Sequence, residues 1–125
     1  MRTQEIPRNE WPAFLDGFTR RYEGWLADVE IFGLEIGSQI EEQELPFEGI
    51  TAELGDGQPD RIEIMLGNKP DDHITHTITA PSQVSVEKTD AGADAALAIK
   101  ALDGTTTLLR FRAEMLPGMQ DTEAP

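Results

Sequence analysis

The chain has 125 residues, a formal net charge of -14, 38% hydrophobic and 27% charged residues, and no cysteine. That length fits one domain around one core, and the missing cysteines exclude disulfides, a thiolate nucleophile and cysteine-ligated metal. No apolar run nears the roughly 20 residues of a membrane helix, and Met1 to Glu5 is not followed by the apolar stretch of a secretory signal, so a cytoplasmic location without membrane contact is expected.

Residues 1–8 read as an N-terminal extension. Trp11, Phe14, Leu15, Phe18 and Tyr22 then recur at steps of three and four, which predicts an amphipathic helix over 9–23 with its aromatic stripe laid on the core. Asn9 is the expected N-cap, and Pro12 is tolerated in the first turn, where a missing N–H costs nothing. Arg20 and Arg21 suit the C-terminal end, and Gly24 can take the left-handed conformation that stops a helix.

Beyond Gly24 the period becomes two, and strands are expected over 25–112. Trp25, Ala27, Val29 and Ile31 share one parity in the first strand. Leu26 and Phe32 have the other parity, which implies either cover from the helix or a second copy of the chain, or simple packing of Phe32 into a loop. Ile40 to Glu44 and Phe47 to Leu54 read as a second strand region interrupted by Pro46. Phe47 is out of parity with Ile50, Ala52 and Leu54, so a β-bulge and a sharp bend are expected near Gly49.

Gly55 to Asp60 is a turn cluster, followed by a third strand carrying Ile62, Ile64 and Leu66 inward. Ile74, His76 and Ile78 alternate with threonines in a fourth strand, and Val84 and Val86 carry a fifth after a corner at Pro81. Ala95 to Leu102 and Thr105 to Arg112 form a hairpin around Asp103-Gly104. A two-residue turn would set Ala98 opposite Leu109; a three-residue turn with a glycine bulge would bring Leu97 and Ile99 onto that face. Residues 113–125 lose alternation and are expected to form a flexible tail.

Few residues carry a chemical pattern. Asp71, Asp72, His73 and His76 are the candidates for a metal or small-molecule site, because carboxylates and imidazoles are the available ligands. On a strand, however, His73 and His76 point to opposite faces. Asp56, Gln58 and Asp60 lack the turn glycine and terminal glutamate of a calcium loop at the required offsets. Ser38, Ser82 and Ser85 sit in no glycine-framed elbow, and no glycine-rich loop leads from a strand into a helix to cradle phosphate. No catalytic residue and no cofactor are therefore assigned.

Between Arg21 and Arg61 the chain holds no lysine or arginine while placing acids from Glu23 through Asp60. Such a segment repels a phosphate backbone and argues against nucleic acid as a partner. In the strand reading Asp28 and Glu30, then Glu41 and Glu53, are the solvent side of neighbouring strands. An acidic mimic of nucleic acid, binding a basic partner, is one alternative role.

Three stretches, Arg8-Asn9-Glu10-Trp11-Pro12-Ala13-Phe14-Leu15-Asp16, His73-Ile74-Thr75-His76-Thr77-Ile78 and Gly104-Thr105-Thr106-Thr107-Leu108-Leu109-Arg110-Phe111-Arg112, together with Glu23-Gly24-Trp25, resemble an uncharacterised bacterial domain-of-unknown-function family of about this length. The resemblance implies a single bacterial domain and brings no activity. The element order is also similar to Sm-like and SH3-like small barrels, an architectural likeness that supplies no function. The expected fold is mainly β (α+β): an N-terminal helix on a strongly bent antiparallel sheet or small barrel of five to seven strands. The expected role is a non-catalytic module acting through a protein partner or self-association.

Overall fold

The computed structural model describes residues 2–33, 37–67, 73–88 and 94–113. Asp71, Asp72, the loop around them and the expected tail from residue 114 onward lie outside the described residues.

Among the described residues the fold has eight strands and one α-helix: β1 (Arg2–Ile6), α1 (Trp11–Tyr22), β2 (Leu26–Gly33), β3 (Gly37–Glu53), β4 (Arg61–Leu66), β5 (Ile74–Thr79), β6 (Pro81–Lys88), β7 (Asp94–Ala101) and β8 (Thr106–Ala113). The strands form one antiparallel sheet in the order β1-β6-β7-β8-β2-β3-β4-β5. The mainly β reading with an antiparallel sheet therefore holds. The barrel alternative does not, because the sheet has two ends, at β1 and β5, and its eight strands exceed the expected five to seven. β6 already carries β1 on one edge and β7 on the other, so it has no edge left to receive β5.

β1 comes from the segment read as an extension, and its residues pair with β6 from Arg2 opposite Lys88 to Ile6 opposite Val84. Four of its five residues are exposed and only Ile6 is buried. A short polar strand of this kind carries no hydrophobic alternation for a sequence reading to detect.

The helix is shorter than expected. Asn9 lies in a 3₁₀ turn (Arg8–Glu10), and Glu10 takes the N-cap position without a side-chain hydrogen bond. Trp11, Leu15, Phe18 and Tyr22 are buried, but Pro12 and Phe14 are half-buried and Ala13 is exposed. The helix thus lacks a cleanly separated polar face. Its end follows the expected pattern: Gly24 has φ +92° and donates its N–H to the Phe47 carbonyl at 2.8 Å.

The buried helix residues join one core with Val29 of β2, Phe47 and Ile50 of β3, Ile62, Ile64 and Leu66 of β4, Val84 and Val86 of β6, Leu97 and Ile99 of β7, and Leu109 of β8. Burying an aliphatic side chain of this size contributes about 1.5–3 kcal/mol. Phe18 stands among Phe14, Tyr22, Phe47 and Phe111, with ring centroids 4.8–6.4 Å away. Tyr22 stacks on Phe111 at 4.4 Å, which fastens the helix to β8 as well as to β3.

Two places bend the sheet enough to enclose that core. β3 runs unbroken for 17 residues through Pro46, where an interruption was expected. Its ladder with β2 ends at the pair Leu26–Pro46, so the missing proline N–H costs little there. The expected bulge follows directly, as a register shift between Phe47 and Gly49 against β4. The second bend is Ala80, with φ +56°, between β5 and β6. Its N–H donates to the Asp60 carbonyl, and its own carbonyl accepts from the Leu102 N–H, both at 2.9 Å. The corner expected at Pro81 is therefore one residue earlier, tied both to the start of β4 and to the end of β7.

The hairpin adopts the three-residue alternative. Leu97 pairs with Leu109 and Ile99 with Thr107, and the Ala101 N–H donates to the Thr105 carbonyl at 2.9 Å across Leu102-Asp103-Gly104. Gly104, at φ +94°, supplies the left-handed residue that this turn requires.

Past Pro46, the edge of β3 that β2 has left is covered by the helix. The Thr19 hydroxyl accepts from the Ile50 N–H at 2.9 Å and shares its proton between the Leu15 and Ile50 carbonyls at 3.0 and 3.1 Å. A Cβ on Gly49 would come within 3.1 Å of the Thr19 methyl group, which would have to give by a few tenths of an ångström to admit it. Thr19→Val keeps the shape and strands the Ile50 N–H at a residue with no exposed surface. We predict a loss of about 1–3 kcal/mol, seen in urea denaturation as a lower midpoint with an unchanged slope.

Candidate functional site

Two regions of the described residues bear most directly on a ligand or partner. The first is a cleft of about 460 Å³ over the β3–β4 turn, lined by residues 53–56 and 58–61 with Thr79. Two of its three acids, Glu53 and Asp60, are already engaged. Arg8 donates from Nε and Nη2 to both Asp60 oxygens at 2.6 and 2.7 Å, and the Gly55 N–H donates to Asp60 Oδ1 at 2.8 Å. A Cβ on Gly55 would overlap the Gln58 carbonyl, so the turn admits only glycine there. Arg61 pairs with Glu53 at 2.8 Å, directly across the ladder. A fork-to-fork pair of the Arg8–Asp60 type orients both groups and leaves Asp60 no vacant oxygen to offer a cation.

The second region is β5. Ile74, His76 and Ile78 turn toward the core while Thr75, Thr77 and Thr79 are exposed. His76 lies opposite Ile64 in the β4 ladder and is half-buried. His73 sits just before the strand and is exposed, with Nε2 3.6 Å from Oε2 of Glu48. Glu48 is the extra residue of the β3 bulge, which is why it reaches past the end of β4. This neighbour of His73 was not foreseen, although its position beside the parity switch at Gly49 was the available signal. Among the described residues no group of three or more His, Asp and Glu side chains converges as a metal site. The alternation separates His73 from His76, and Asp71 and Asp72 lie outside the described residues.

Along β5 the ladder with β4 has six consecutive pairs and no register shift. β5 is the last strand of the sheet, and among the described residues its ladder runs to β4 alone. It has no lysine, arginine, aspartate, glutamate or proline from Ile74 to Thr79. Charge, proline and bulges are the devices that normally protect an edge strand, and β5 has none of them. The other edge strand, β1, carries Arg2 and Glu5.

The model of a family of unknown function, DUF5335, matches residues 2–117. The chain belongs to this family. The match takes in β1, so the polar edge strand is part of the DUF5335 domain. The chain is also similar to an uncharacterized protein of Aquifex aeolicus (strain VF5), at 27% identity over 112 residues that cover 90% of this chain and 94% of that one. No solved structure matches it. Among the described residues, no helix is long and apolar enough to cross a membrane.

In this DUF5335 chain Asp60 joins three segments, since its side chain holds Arg8 and Gly55 while its carbonyl holds Ala80. The Arg8 guanidinium, helped by the Gly55 N–H, keeps the Asp60 carboxyl below its ordinary value of 3.8, against the opposing effect of burial. A depressed folded-state value stabilises the fold above the unfolded-state value, and that contribution is lost as the pH falls through the folded value. Asp60→Asn is therefore expected to lower the melting temperature near neutral pH. The gap from the parent should close progressively below about pH 3.8, as measured by paired thermal melts across an acid series.

Proposed function

We propose that this chain acts through a protein contact rather than through catalysis, and that the contact is strand addition along β5. An extended segment of a protein partner would add to the outer edge of β5, with main-chain hydrogen bonds supplying affinity and the side-chain alternation setting register. The observation that carries this reading is an unbulged six-residue edge strand with no charge and no proline, in a chain whose net charge is -14. Nucleic acid is disfavoured as the partner, because a polyanion would approach an excess of carboxylates. A cytoplasmic setting agrees with the cysteine-free composition.

Selection of a displayed library of random twelve-residue peptides on the immobilised chain tests this. Hydrogen exchange on the selected complexes is expected to show new protection at β5 amides. Thr77→Pro, which removes one edge donor and disfavours pairing, should weaken capture at least tenfold. Selected peptides whose protection falls elsewhere, or capture that Thr77→Pro leaves intact, would overturn the reading.

The 3.6 Å approach of His73 to Glu48 favours a second reading, a metal- or small-molecule-dependent role centred on Asp71, Asp72, His73 and His76. It predicts saturable Zn²⁺ uptake by calorimetry, lost in the His73→Ala, His76→Ala double variant. Equal uptake by parent and variant would remove it.

A further inference from the structure

We infer that the extended segment added at β5 is the β5 strand of a second copy of the same chain, so that two curled sheets join into one across a twofold axis at His76. This rests on the strand-addition reading above and names its partner. The decisive observation is that the exposed edge is palindromic: Ile74-Thr75-His76-Thr77-Ile78 reads the same in both directions. In an antiparallel pair centred on His76, Ile74 lies opposite Ile78 of the partner subunit, Thr75 opposite Thr77 of the partner subunit, and His76 opposite its own counterpart.

The isoleucine and threonine juxtapositions are favourable for a sheet. Opposed β-branched residues on the inner face extend the apolar surface that Ile78, 8% exposed, already begins, and threonine pairs on the outer face are among the cross-strand combinations that stabilise ladders. An antiparallel twofold pair is isologous, which requires a surface complementary to itself. In the register centred on His76 the palindrome sets isoleucine against isoleucine and threonine against threonine, and a slip by one residue would turn isoleucines toward threonines.

Charge selects the same place. Two copies at -14 each repel over most of their surfaces, whereas β5 from Ile74 to Thr79 presents no carboxylate. Among the described residues the other end of the sheet is β1, which would place Arg2 and Glu5 at the seam. Strand pairing alone buries less area than a standard stable interface, so the dimer is a weak and concentration-dependent one.

Sedimentation velocity over about 1 to 500 µM, a span bracketing micromolar affinities, is expected to show the apparent mass rising from 13.8 kDa toward twice that value. Thr75 and Thr77 are exposed, so their replacement spares the core, and melting temperatures within a few degrees of the parent's would verify folding. The Thr75→Lys, Thr77→Lys double variant sets ammonium against ammonium across the axis and should lower association at least tenfold; Thr75→Glu, Thr77→Glu should do the same. An equimolar mixture of the two variants should recover the dimer as a heterodimer, which a merely destabilised fold would not do. A parent chain that keeps the mass of one copy throughout, or variants that dimerise like the parent, would overturn self-pairing. Should the parent stay single while selected peptides still protect β5, self-pairing falls and strand addition stands; should the peptides bind elsewhere, both fall.

Discussion

One strand has to serve two different neighbours, and the rest of the molecule is arranged around that demand. β3 begins as the partner of β2 and ends as the partner of β4. Between those stretches its backbone turns at the Phe47–Gly49 bulge, which would leave Ile50 with polar groups facing no strand. The helix fills that place. A single hydroxyl, on Thr19, accepts and donates where a neighbouring strand would have done so. Its position then explains why Phe18 reaches Phe47 and Phe111, and why the sheet curls toward the helix side.

The long interval without lysine or arginine looks uncompensated along the chain, but in space three of its acids meet arginines. Arginines from outside the interval or at its boundary reach its acids: Arg110 of β8 meets Glu30 at 2.8 Å, Arg61 meets Glu53 at 2.8 Å, and Arg8 meets Asp60 at 2.6 Å. The first two pairs are solvent-exposed and add little to stability. They do lower local repulsion between neighbouring strands. The third is different, because it joins the segment before the helix to the turn before β4. Selected carboxylates of the interval are thus committed to particular arginines.

Much of the fold was legible where side chains had to choose a face. The parity change at Gly49 and the limits of β4 follow from which residues must avoid water, and the glycine stop after the helix from the left-handed backbone at Gly24, whereas the hairpin register stood open between two alternatives until the three-residue turn decided it. What escaped were features stabilised by backbone and polar groups. β1 is five residues with four exposed side chains, and no periodicity marks a strand whose contribution is mainly its ladder. Pro46 suggested a break because a sequence does not show on which edge its absent N–H would fall. The barrel expectation failed for a related reason, since closure depends on which edges are already occupied and the occupant of β6 was the undetected β1. At the candidate site, the alternation of His73 and His76 was readable, whereas the approach of Glu48 to His73 across the end of β4 depends on the bulge.

The seating of β1 also gives the molecule an internal gauge. Trp11, 2% exposed, donates its indole N–H to the Ile6 carbonyl at 2.8 Å, so the first residue of the helix holds the last residue of the first strand. Detaching β1 would expose that indole to water and change its emission. Trp25 stands apart, half-buried and edge-on to Tyr22 and Phe111. With two tryptophans in the chain, leaving one in place at a time separates fraying of the N-terminus from loosening of the aromatic cluster, and each can be followed by its own fluorescence.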